Sequence, residues 1–152
     1  MAWANQRVYA AASKLPDEAL GAYLVNPEWT AARILQHIVG GSTWYVYCLG
    51  IDDWQDIVKP STMRDVDVLA GRLAEFDAKI LPAADLPDEV LTFKEDDESL
   101  QVLRSTLLVQ TVHHATEHRA QLIDALEFRG FPSISLDDVD LWAFESFERS
   151  GS

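Results

Sequence analysis

The segment from Ser61 to Ile80 constrains the fold more than any other part of the sequence. Its large apolar residues recur at intervals of three and four, and they are Val66, Leu69, Leu73, Phe76 and Ile80. This spacing places them along one stripe of an α-helix. A seam sustained over several turns is typical of helices that pack side by side along their length. The segment therefore predicts antiparallel bundle packing rather than a lone surface helix.

Other segments share this helical periodicity. They are residues 4–24 with a break at Pro16, residues 30–49, residues 105–128 and a short one at residues 136–149. The predicted N-caps are Thr30, Ser61 or Thr62, and Ser105. In the last segment Trp142, Phe144 and Phe147 are available to pack on the bundle. We predict an all-α fold, a four-helix bundle with a short extra C-terminal helix.

Residues 89–103 are harder to interpret. Residues 89–94 have the composition of a short strand, and the acidic run 95–98 suits a turn. Residues 100–103 then form the partner strand of a small hairpin, or they already belong to the next helix. The acidic run predicts a solvated loop, because a calcium loop would need alternating oxygen donors and a central glycine.

Composition excludes several classes of function. A chain of 152 residues, 48% of them hydrophobic, suits one domain, residues 1–152. Its net charge of −13 argues against nucleic-acid binding and against an anionic membrane surface. With the single cysteine Cys48, no signal-peptide layout at the start and no apolar run of membrane-spanning length, we expect a cytoplasmic protein.

Three of the four histidines lie in the segment 105–128. His114 and His118 are four residues apart, so their imidazoles project from one face of a helix, on a stripe otherwise occupied by core residues. A metal ion needs converging neutral nitrogen donors, and this spacing supplies two. His37 lies in another predicted helix and would add a third donor. The alternative is that these are buried core histidines. His113 lies off the stripe, so we expect it to pack or to lie at the surface, with a role as a substitute ligand as the alternative.

Three histidines would leave coordination positions open, as in a catalytic site. Zinc or nickel suits the donors best, with iron or manganese as alternatives. No HExxH motif is present, which excludes that class of zinc protease. Gln121 could orient an imidazole through its second nitrogen. Arg119 is expected to pair with a carboxylate, with binding of an acidic substrate group as the alternative.

Two neighbours of the predicted His37 stripe have alternative roles. Cys48 could act as a thiolate ligand or nucleophile, but a small buried cysteine is the commoner case. Trp44 could line a pocket near the metal, although packing in the core is the more ordinary role of a tryptophan. Gly40 and Gly41 weaken the helix, which indicates close packing or a bend at that level.

The arrangement resembles the DinB/YfiT-like superfamily of metal-dependent enzymes. The resemblance covers most of the chain, and His114–Gln121 is similar to the family's H-x-x-x-H-R-G-Q motif. The other similar segments are Trp3-Ala4-Asn5-Gln6-Arg7 with Lys14-Leu15-Pro16-Asp17-Glu18, Leu35-Gln36-His37-Ile38-Val39 with Trp44 and Leu49-Gly50, and Asp140-Leu141-Trp142. Ala120 stands in place of the usual Gly, and His113 in place of a common Asn.

The resemblance implies an up-down-down-up four-helix bundle, often a homodimer, that holds a divalent metal through His37, His114 and His118. Members of known activity resemble transferases and isomerases that use a low-molecular-weight thiol such as mycothiol or bacillithiol. We therefore expect a thiol S-transferase or isomerase acting on small-molecule electrophiles. The alternatives are a hydrolase that uses metal-activated water and a non-enzymatic metal-binding stress-response protein. Fold and ligands follow from the resemblance better than substrate does.

Overall fold

The computed structural model describes residues 1–151 and is mostly helical, with one small sheet. The α-helices are α1 (Ala2–Ala12), α2 (Ala31–Cys48), α3 (Met63–Ile80), α4 (Arg104–Phe128) and α5 (Leu141–Ser150). Two strands, β1 (Val90–Glu95) and β2 (Glu98–Leu103), lie between α3 and α4. Short 3-10 helices occupy Asp17–Gly21, Leu81–Asp85 and Leu136–Asp138. The prediction of a mainly α-helical fold is thus confirmed.

Capping residues fix where several helices begin. The Thr30 side chain accepts a hydrogen bond from the backbone N–H of Arg33, so α2 begins as predicted. Thr62, rather than Ser61, caps α3 and forms a reciprocal capping box with Asp65. The prediction that Ser105 caps α4 is wrong. Its N–H and hydroxyl both donate to Asp88 instead, which ties the start of α4 to the segment before β1.

The core lies where the apolar stripes of the first four helices meet. All five residues of the α3 seam, Val66, Leu69, Leu73, Phe76 and Ile80, are buried. α2 packs along both α3 and α4, and α1 packs along α3. The contact between α1 and α4 is less extensive. The packing of α2 against α4 positions the histidines, because each of these helices carries part of the set.

The segment before α4 forms an antiparallel hairpin. Val90 pairs with Leu103 at its open end, and Glu95 pairs with Glu98 beside the turn. Asp96 has a φ of +52° there, a left-handed conformation that aspartate tolerates better than most residues. The hairpin alternative is therefore confirmed, and the helical reading of residues 100–103 is wrong. The acidic run 95–98 spans the turn.

The C-terminal helix α5 touches the rest of the molecule through one face only. Phe144 and Phe147 contact the ring of Trp3 at 5.5 and 5.6 Å between centroids. Trp142 is 77% exposed, so the prediction that it packs on the bundle is wrong. Within residues 1–151, no helix combines the length and apolar content needed to cross a membrane.

Candidate metal centre

His37, His114 and His118 converge at the interface of α2 and α4. One ring nitrogen from each lies within 4.8 Å of the other two. The Nε2 atoms of His37 and His114 are 3.0 Å apart. All three side chains are half-buried, so the cluster has protein on one side and an open side. The structure thus brings together the residues that sequence reasoning proposed as metal ligands.

Glycine makes room for one of these rings. A Cβ atom on Gly41 would lie 2.3 Å from Cε1 and 2.7 Å from Nδ1 of His114, distances far inside van der Waals contact. By contrast, a Cβ on Gly40 would meet nothing within 4 Å. The predicted close packing therefore applies to Gly41, where the α2 backbone forms the wall against which the His114 imidazole lies.

Two neighbours orient His118. Its Nδ1–H donates to Gln121 Oε1 at 2.8 Å, which leaves Nε2 with a free lone pair. The Trp29 indole stacks on the same imidazole, with an interplanar angle of 5° and 5.6 Å between centroids, and meets His37 edge-on. Sequence reasoning found Gln121 but missed Trp29. The sequence marks Trp29 only by its position directly before Thr30, the N-cap of the helix that carries His37.

The electrostatic environment favours neutral imidazoles. Burial, followed by the neighbouring His118 and His37, lowers the pKa of His114 from 6.5 to about 4. Burial also lowers the pKa of His37, with smaller contributions from His118 and Arg33. A metal binds the neutral form of histidine, and a depressed pKa keeps that form populated below neutral pH. His37 and His114 are therefore held in the neutral form that binds a metal ion.

The donor set suits a divalent transition metal. Two nitrogens bound to one tetrahedral zinc, at bond lengths of about 2.0–2.1 Å, lie about 3.3 Å apart. The 3.0 Å between the His37 and His114 nitrogens is close to that separation. The hydrogen bond from His118 to Gln121 is the kind of outer contact that fixes the tautomer of a metal-binding imidazole. Both observations fit a three-histidine site.

Comparison with known proteins now decides the family. The family model described as the DinB family matches residues 1–146 of the chain. This protein belongs to the DinB family. The search of curated proteins and the search of solved structures gave no match. Family membership and the three-histidine cluster are together compatible with metal binding.

Two other candidate groups of this DinB protein lie outside the cluster. His113 is exposed and takes no part in it. Cys48 is buried, and burial raises the pKa of its thiol from 9.0 to about 12, with Glu95 adding to the effect. A thiol with so high a pKa holds little thiolate at neutral pH. The interpretation of Cys48 as small buried packing is therefore the one that agrees with the structure.

Arg119 follows His118 directly but points into the protein. Its Nη1 donates to Asn5 Oδ1 at 2.6 Å, and its Nη2 donates to Thr116 Oγ1 at 2.8 Å. Asn5 in turn donates through Nδ2 to Asp77 Oδ2 at 3.0 Å. The predicted pairing with a carboxylate is thus replaced by a link through the Asn5 amide. In this DinB chain, the arginine of the family motif joins α4 to α1 and α3.

A cavity of about 350 Å³ adjoins two of the histidines. His37 and His114 form part of its wall, together with the aromatic side chains of Trp44, Tyr45 and Trp54. The pocket role considered for Trp44 therefore agrees with the structure. Tyr45 and Trp54 were missed, because Trp54 lies in the loop after α2 and no local pattern links that loop to the histidines.

Proposed function

We propose that this DinB protein is a metal-dependent enzyme that transfers a low-molecular-weight thiol to small electrophiles, or isomerises them with such a thiol. His37, His114 and His118 would hold a divalent ion, with zinc or nickel as the first candidates. The observation that carries the proposal is the convergence of three imidazoles beside a cavity of about 350 Å³. A closed structural site would have no need of such a space.

The residues of the chain have separable roles in this proposal. A bound divalent ion would lower the pKa of a coordinated thiol and so supply thiolate near neutral pH. Gln121 holds the His118 proton on Nδ1, and Trp29 keeps that ring in place. The cavity wall next to His37 and His114 would position the electrophile. In the transfer, the thiol proton passes to solvent and sulfur forms a bond to the electrophilic carbon. The bond from that carbon to its leaving group breaks at the same time, and the leaving group departs with the electron pair.

Metal analysis and a coupled assay test this proposal. Protein purified without an affinity tag should contain about one divalent ion per chain. With that ion it should consume thiol in the presence of a panel of small electrophiles. We expect His118→Ala to abolish the activity while the helical content persists. His113→Ala is the matched control, since His113 is exposed and lies outside the cluster.

The outcomes separate the alternatives. Full turnover by metal-free His118→Ala protein, or absence of any divalent-metal affinity, contradicts the proposal. A rate that does not depend on added thiol would identify hydrolysis instead. Stoichiometric metal without turnover on any electrophile would identify a non-enzymatic metal-binding protein.

The contacts between helices also support a four-helix bundle in up-down-down-up order. Asn5 bonds Asp77 while Gln6 bonds the carbonyl of Ala70, as in an antiparallel pair of α1 and α3. On α2 and α4, His37 lies near His118, whereas Tyr45, further along α2, contacts the earlier His114, so this pair is antiparallel too. A single domain, a homodimer and a cytoplasmic location stay predictions.

A further inference from the structure

Arg33 brings a positive charge to the cavity of a strongly acidic protein. The chain has a net charge of −13, yet Arg33 is the one Lys or Arg that lines this cavity within residues 1–151. It lies on α2, four residues before His37, so both side chains share a face of the helix. An anion held by Arg33 would therefore lie close to the histidine cluster.

The guanidinium of Arg33 is held by Gln36 and lies over Trp29, with its central carbon 6.0 Å from the ring centroid. Its Nη1 donates to Gln36 Oε1 at 2.9 Å, and Gln36 is itself anchored by donating from Nε2 to the carbonyl of Ile57 at 2.5 Å. Arg33 takes part in no ion pair within the described part of the chain. Because a guanidinium carries five N–H donors, most of them have no acceptor from the protein.

Aromatic faces form the adjoining wall. Trp44 and Tyr45 come from α2, and Trp54, which is 52% exposed, comes from the loop after it. Flat apolar surfaces next to a few polar groups are typical of small-molecule sites, and about 350 Å³ is enough for a small organic ligand. Among the described residues, Asp56 is the single carboxylate on the wall, so its negative charge offsets the positive charge of Arg33. This balance disfavours the binding of an anion of high charge.

We propose that the cavity binds a small organic carboxylate, with the carboxylate on Arg33 and the apolar part against Trp44 and Trp54. A guanidinium matches the two oxygens of a carboxylate with two parallel hydrogen bonds. A phosphate dianion suits the site less, because Asp56 offsets the charge of the single arginine. The inference rests on the proposed function in one respect: the carboxylate compound would be the electrophilic substrate of the histidine centre.

Binding to metal-free protein isolates Arg33 from the metal. The probes are 3-phenylpropanoate and its neutral analogue 3-phenylpropanamide, titrated at pH 8 after treatment with a chelator and followed by tryptophan fluorescence. His37 and His114, the two histidines on the cavity wall, are neutral at this pH, because burial lowers the pKa of both. The proteins are wild type, Arg33→Gln and Arg64→Gln, where Arg64 is an exposed arginine of α3 that does not line this cavity.

We expect wild type and Arg64→Gln to bind the acid about two- to fivefold more tightly than the amide, because Arg33 is exposed and water weakens its pairing with the carboxylate. Arg33→Gln should bind acid and amide equally. Asp56→Asn should bind the acid more tightly than wild type does, since it removes the one opposing charge on the wall.

Any of four results would overturn this inference. The first is equal binding of acid and amide by wild type, and the second is no saturable binding of the acid at millimolar concentrations. The third is an Arg33→Gln protein that retains the preference for the acid. The fourth is tighter binding of phenyl phosphate than of 3-phenylpropanoate by wild type. A protein that binds the acid through Arg33 but has no affinity for divalent metal would contradict the proposed function alone.

Discussion

His118 and Arg119 are neighbours in the chain, yet they belong to two polar clusters of opposite character. The histidine cluster is half-buried, and its nitrogens face one another beside a cavity. The cluster of Asn5, Asp77 and Arg119 is buried, and hydrogen bonds join its members in series. The ring nitrogens of one cluster converge beside a cavity, whereas the hydrogen bonds of the other cluster link three helices.

The difference shows that one sequence motif can serve both chemistry and architecture. Successive residues on a helix point about 100° apart, so His118 faces α2 while Arg119 faces α1. Asp77 illustrates the second role: burial raises the pKa of its carboxyl, with the Asn5 hydrogen bond and Arg119 acting against that rise. Its Oδ1 finds no hydrogen-bond partner within residues 1–151, so the network depends on Asn5 and the nearby arginine charge.

The largest expected effect distinguishes the clusters through metal affinity. His118→Ala removes one of three proposed ligands, so we expect affinity for zinc to fall by more than about 100-fold, since even outer contacts of metal ligands are worth 10–100-fold. The unfolding temperature of the metal-free protein should change little. Isothermal titration calorimetry measures the zinc affinity, and differential scanning calorimetry measures the unfolding temperature. His113→Ala is the control and should leave both unchanged; zinc affinity equal to wild type in His118→Ala would contradict the ligand assignment.

The next effect is on stability. Arg119→Leu removes the cation near Asp77 and leaves Asn5 Oδ1 without its donor, so we expect the free energy of unfolding to fall by about 3 kcal/mol. Urea unfolding measures it. Adding Asp77→Asn to Arg119→Leu should restore part of the loss, because it removes the buried acid. A loss below about 0.5 kcal/mol, the usual range of surface changes, would mean that the network is not structural.

A smaller effect compares two adjacent glycines. Gly41→Ala would place a methyl group against the His114 ring and displace it, so we expect zinc affinity to fall by about tenfold. Gly40→Ala meets open space and should raise helix stability by up to about 1 kcal/mol without changing zinc affinity. Titration and thermal unfolding of both variants test this. Equal zinc affinity for the two variants would contradict the role of Gly41 as the wall behind His114.

The smallest effect is the response of the metal-free protein to acid, which should have opposite sign in the two clusters. The pKa of His114 is lowered to about 4, so its contribution to stability is complete above pH 6.5 and is lost as pH falls toward 4. The pKa of Asp77 is raised, so its contribution is complete below about pH 3.8 and is lost as pH rises through the folded-state pKa.

Calorimetry from pH 7 to pH 4 on single variants tests these signs. Relative to wild type, His114→Gln should lose less stability as pH falls, because it removes a group that resists protonation when folded. Asp77→Asn should show the reverse, with its difference from wild type most favourable at pH 7. Parallel profiles for all three proteins would show that neither group is linked to folding.

Much of the local structure could be predicted from short patterns. Thr30 caps α2, and the intervals of three and four in α3 mark the buried seam, because backbone hydrogen bonding and helical periodicity act within a few residues. The same periodicity placed His114 and His118 on one face. The predicted N-cap of α4 at Ser105 is wrong, because Ser105 lies inside the helix and bonds to Asp88, a long-range partner from the segment before β1.

The sequence by itself determined that the chain is mainly helical, and it supplied the three histidines and the family motif. Only the tertiary structure decided which partners meet. His37 and His114 are separated by 77 positions, yet their nitrogens lie 3.0 Å apart because α2 packs along α4. Packing also placed Trp29 on His118, Gly41 against His114 and Arg119 on Asn5. Such contacts depend on how helices dock, and no spacing within one segment records that.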